Sequence, residues 1–136
     1  MKPVDMQVFE AGKGDCLRAC IASILELRPD EVPNFTEIKG PQARVVTQWL
    51  STRGLALLEV PVASMDFYFV FEYAKIWHII SGRGPRGLRH ATVGLSGKIV
   101  HDPHPSRAGL IGEPETYEFF IPADPAKMDI SSEVKP

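Results

Sequence analysis

At 136 residues, with 44% hydrophobic and 24% charged side chains, the chain has the size and makeup of one ordinary globular domain. Its net charge of −2 offers no basic face for nucleic acid. No apolar run nears the ~20 residues that span a bilayer, and residues 1–11 lack the pattern of a signal peptide; a cytoplasmic protein without membrane contact is expected.

The first element in chain order is a helix over residues 17–27. Leu17, Cys20, Ile21, Ile24 and Leu25 recur at three- and four-residue spacing and form one apolar stripe. Asp15 is placed to cap it, Gly12 and Gly14 punctuate the approach, and Pro29 stops it. A second helix is expected over 41–53, with Pro41 in its first turn, a stripe of Val45, Val46, Trp49 and Leu50, and Gly54 just past its end. Strand texture begins at residues 55–60, between Gly54 and Pro61. Residues 67–80 are aromatic and β-branched, with a turn or helix possible at 72–75. Residues 81–89, carrying Gly82, Gly84, Pro85 and Gly87, read as a mobile loop. Residues 90–95 and 98–102 read as a hairpin about Ser96 and Gly97, and 117–121 as a last strand. Helices first and antiparallel strands after give an α+β fold in one domain, residues 1–121, with 122–136 as a frayed tail.

The two cysteines, Cys16 and Cys20, sit four residues apart and cannot make a framework of bridges. Cys20 lies on the apolar stripe and reads as core. Cys16 opens the helix after a Gly-Lys-Gly-Asp turn. There the helix N-terminus carries about half a positive charge and unpaired N–H groups, which favour a thiolate and can stabilise an oxyanion. Of the four histidines, His78 sits in an apolar run and reads as a core residue. His90 begins a strand straight after the glycine-rich loop, where a side chain is both fixed and accessible.

Hairpin register decides what stands beside His90. A three-residue loop, Leu95-Ser96-Gly97, pairs Gly94 with Lys98, Thr92 with Val100 and His90 with Asp102, placing a carboxylate beside the imidazole. A two-residue Ser96-Gly97 loop moves Asp102 to the opposite face. The residues His90, His101, Asp102 and His104 also allow a metal site, although His101 and Asp102, adjacent on a strand, point opposite ways.

A Cys at the head of an early helix, with a His and then an Asp on later strands, resembles the papain-like cysteine peptidases. The segment Gly14-Asp15-Cys16-Leu17-Arg18-Ala19-Cys20-Ile21-Ala22-Ser23 is similar to the nucleophile helix of compact bacterial and phage members such as double-glycine peptidases. His90-Ala91-Thr92-Val93 and Val100-His101-Asp102-Pro103 resemble their His and Asp strands. The likeness covers about residues 10–110. It implies a papain-like fold and a thiol hydrolase with Cys16 as nucleophile, His90 as base and Asp102 orienting the base. It implies no cofactor, and a peptide or protein as substrate, with a peptide, isopeptide or amide bond split through an acyl-enzyme. The family's oxyanion hole usually includes a glutamine about six residues before the cysteine. Here that place holds Glu10, with Gln7 further off. Arg86 and Arg89 in the loop and His104 beyond Asp102 are candidate walls of the substrate cleft. Glu10 in place of Gln also keeps open a rival from another class, a papain-like module that binds a peptide or protein without turnover.

Overall fold

The computed structural model describes residues 1–130. Three α-helices and five strands follow one another as α1 (Cys16–Leu25), α2 (Gln42–Ser51), β1 (Leu55–Pro61), α3 (Tyr68–Tyr73), β2 (Trp77–Arg83), β3 (Arg89–Leu95), β4 (Lys98–His101) and β5 (Thr116–Pro122). The strands make one antiparallel sheet in the order β1-β5-β2-β3-β4. The architecture is α+β, as expected.

Alternation along the strands sorts the two faces of the sheet. Ile79, Ala91 and Val93 face α1 and α2, where they meet Cys20, Ile21, Val45, Val46 and Leu50, all buried. Phe35 and Val32, from the connection between these helices, close the same core. Cys20 is completely buried within it, which is the packing role its place on the stripe indicates. The opposite face carries His78, Tyr117 and Phe119, covered by Phe67, just ahead of the short helix α3, and by Phe71 within it. His78 is satisfied there: the Gly97 N–H donates to Nε2 at 3.0 Å and Nδ1 lies 3.1 Å from the Ile79 carbonyl. Burial holds its pKa below the ordinary imidazole value.

Four local expectations change. Residues 67–80 are not mainly strand: Tyr68–Tyr73 form α3, beginning ahead of the turn or helix expected at 72–75, and the strand begins only at Trp77. Residues 81–89 are not one loop: β2 continues to Arg83 and β3 starts at Arg89, leaving a tight turn closed by Gly84 N–H to the Leu88 carbonyl at 2.8 Å. The hairpin loop has two residues, with Leu95 opposite Lys98 and with Ser96 and Gly97 both at positive φ, 47° and 84°. That is the paired left-handed geometry matching the twist of a hairpin. Alone it would turn Asp102 away from His90, but a bulge at Val93/Gly94 inserts one extra residue, so that Val93 faces His101. Asp102 then follows on the side of Thr92 and His90, one pair along from the histidine rather than directly opposite. At the C-terminal end, Pro122 still pairs with Leu55, and a capped turn follows at Pro125–Lys127 with Asp124 accepting from the Ala126 N–H. Residues 122–127 of the expected frayed tail are thus held by these contacts, and its residues 131–136 lie outside the described residues.

Candidate active site

Cys16 is the first residue of α1, and two braces fix the turn before it. Asn34 Nδ2 donates to the Lys13 carbonyl at 3.0 Å, and Thr36 Oγ1 to the Gly14 carbonyl at 3.4 Å. The Asp15 carboxylate, expected to cap α1, makes no cap bond. Instead it accepts from the backbone N–H groups of Gln7 and Val8, each at 3.0 Å, and from Arg18 at 2.7 Å. It thereby folds the N-terminal segment across the helix end and leaves the first N–H groups of α1 uncapped. Those of Leu17 and Cys16, together with that of Ala91 on β3, interact with the thiol and favour its ionised form. Burial outweighs them and, with the negative charge of Asp15, pushes the Cys16 thiol above its ordinary value. The helix terminus alone therefore does not hold a thiolate here, contrary to the expectation from its position; desolvation wins.

His90 is 5% exposed, and its Nε2 lies 2.6 Å from Asp102 Oδ1. Asp102 also accepts from the His104 N–H at 2.9 Å and the Gly109 N–H at 2.6 Å. Burial works against its ionisation, but the bond with His90 and the two backbone donors prevail, and its pKa lies below the usual carboxylate value. An ionised carboxylate requires the proton on Nε2, which makes Nδ1 the basic nitrogen of the ring. The turn at residues 84–88 closes directly over the histidine. A Cβ at Gly84 would lie 2.9 Å from both His90 Cβ and the Leu88 carbonyl oxygen, so only glycine permits this approach.

Cys16 and His90 line one open cavity of about 470 Å³. Glu10, Arg86, Arg89 and His104 line it as well, whereas Gln7 does not. Glu10 is exposed and pairs loosely with Lys13 at 3.7 Å. His104 stands edge-on to Phe9, ring centroids 5.5 Å apart, and forms another wall of the cavity. His101, by contrast, turns to the Val4 carbonyl at 3.0 Å and to Asp5 at 3.2 Å, away from the His90–Asp102 pair. Among the described residues no three His, Cys, Asp or Glu side chains are grouped to hold a metal ion.

Other lining residues went unremarked in the sequence: Thr36, Gln42, Ser81 and Glu118. Glu118 had a signal, since a glutamate inside an aromatic strand (Tyr117, Phe119, Phe120) breaks the pattern on the face that should be apolar. Ser81 and Thr36 had none. Comparisons with protein-family models, with curated proteins and with solved structures find no match to this chain.

Proposed function

We propose that the protein is a papain-like thiol hydrolase that splits a peptide, isopeptide or amide bond through an acyl-enzyme on Cys16. One observation carries the reading: the thiol at the head of α1 and an imidazole held by a buried carboxylate open into the same cavity. In the reaction His90 Nδ1 takes the Cys16 proton as sulfur attacks the carbonyl. Asp102 stabilises the resulting imidazolium, which then protonates the leaving amine, and water releases the acyl group. A neutral thiol–imidazole resting pair suits a buried thiol whose pKa is raised, because the proton need move only when the substrate arrives. The uncapped N–H groups of Cys16 and Leu17 are the donors best placed to meet the oxyanion, with Glu10 at the rim ill-suited to that role while ionised.

A second reading, a peptide-binding module without turnover, is favoured by the raised thiol and by Glu10 in the glutamine's place. The two separate on one experiment. Incubation with a peptide library, followed by intact-mass analysis after acid quench, should reveal new termini and a thioester on Cys16. Retention of uncut peptides with no covalent species would select the binding module.

A further inference from the structure

Beside the main cavity lies a smaller one of about 140 Å³, and the two share Leu17, Gln42, Arg89 and Glu118 as walls. Because Leu17 follows Cys16 in the chain, this slot adjoins the candidate nucleophile. Leu17 from α1, Val46 from α2 and Leu57 from β1 give it one apolar side, and Gln42, Thr47 and Arg89 add polar walls. Two carboxylates, Glu59 and Glu118, face it from neighbouring strands that pair at these residues.

Glu118 is 7% exposed, and among the described residues its buried Oε2 has no partner in hydrogen-bonding geometry. Its Oε1 accepts from Thr116 Oγ1 at 3.0 Å and lies 3.6 Å from an Arg89 Nη2. That guanidinium also serves Glu59 at 3.3 Å and Glu115 at 3.2 Å, so one cation stands against three carboxylates. Burial pushes the Glu118 carboxyl up to about 7, against the pull of Ser81, Thr116 and Arg89, and Glu59 adds to the push. From α1, the buried Cys20 thiol senses it as well. A buried acceptor without a well-formed hydrogen bond is rare in native folds and weakens them, and the Ser81 hydroxyl near this one makes no bond of good geometry with it. A slot with an apolar side and two carboxylates that must share Arg89 with a third matches one kind of side chain: an apolar stem with a cationic head.

We propose that the slot is a specificity pocket for a basic side chain of the substrate, lysine or arginine. The stem lies along Leu17, Val46 and Leu57, and the head reaches Glu118 and Glu59. The word substrate rests on the reading of Cys16 as nucleophile; the binding itself does not.

The test therefore has a binding arm and a cleavage arm. Full-length Cys16→Ala protein is titrated by NMR with Nα-acetyl-lysine methylamide and with its norleucine counterpart, which keeps the stem and lacks the charge. The lysine probe should bind about tenfold more tightly, as one charge-assisted contact implies. It should move the Leu17, Val46 and Leu57 methyl signals and draw the Glu118 titration downward, and added Glu118→Gln should abolish its advantage. Equal affinity for the two probes, or no change at those methyls, would overturn the proposal. In the cleavage arm, wild-type protein should cut peptides carrying a basic residue at one fixed place relative to the bond. Cleavage without that preference removes the slot and leaves Cys16 standing, whereas lysine binding without cleavage removes the nucleophile and leaves the slot.

Discussion

Cys16→Ser should lower peptide turnover by at least about 10³-fold, since a hydroxyl in the cavity it shares with His90 is a far weaker nucleophile than a thiol. The fold should survive: residue 16 is half-buried at the mouth of the cavity, and serine differs little in size. Thermal unfolding of the variant should stay close to that of wild type, so that lost turnover cannot be blamed on lost structure. Cys20→Ala supplies the contrast. Cys20 sits fully buried among Ile21, Val46 and Val93, so its truncation should cost about 1 kcal/mol of stability and keep the activity. Turnover retained in Cys16→Ser and lost in Cys20→Ala would show that the wrong sulfur had been chosen.

Asp102→Asn should act on both chemistry and stability, because the carboxylate has two duties. It holds the proton of His90 on Nε2, and it accepts the His104 and Gly109 N–H groups that shape the segment after β4. An amide can keep two of these three acceptances at Oδ1, but its NH₂ then meets the Gly109 N–H donor to donor. Turned the other way, it donates to Nε2 and forces the proton onto Nδ1, where the base is needed. Activity should fall by about 10²–10⁴-fold, and stability at neutral pH by about 1–3 kcal/mol. The pH dependence has a definite sign. The folded pKa of Asp102 lies below its ordinary value, so its contribution is present above roughly pH 4 and is lost as pH falls through the lower folded value. Chemical denaturation of wild type and variant across acid pH should therefore show their difference closing below about pH 4.

Much of the frame was legible from local pattern. The stripe of Cys20, Ile21 and Val46 places α1 and α2, and the strands at Leu55, His90 and Tyr117 follow alternation and breakers, whereas the aromatic run of α3 reads as strand because its face packs on the sheet. Less legible was anything decided by a long-range partner. Asp15 looks like a helix cap in sequence but is taken by Gln7, Val8 and Arg18. The bulge at Val93/Gly94, which returns Asp102 to the histidine's side, leaves no short-range mark beyond the flexible Gly94. The three-residue loop Leu95-Ser96-Gly97 predicts a direct His90–Asp102 pair by the wrong route; the true loop, Ser96-Gly97, is shorter, and the bulge restores the face. Glu118 and its slot needed the sheet order, because β5 lies between β1 and β2 only after the chain has crossed the fold.

The central claim is that His90 activates Cys16, and the alkylation rate of Cys16 measures this without knowledge of any substrate. Folded wild-type protein and His90→Ala are treated with iodoacetamide near pH 6.5, and the modified cysteine is located by mass spectrometry. Because Cys20 is fully buried, its slow reaction reports only that the protein stays folded; the informative ratio is Cys16 in wild type over Cys16 in the variant. With burial pushing the thiol up, the imidazole is the group that must take its proton, so the ratio should be about tenfold or more. A Cys16 that reacts as fast without His90 as with it would contradict the account.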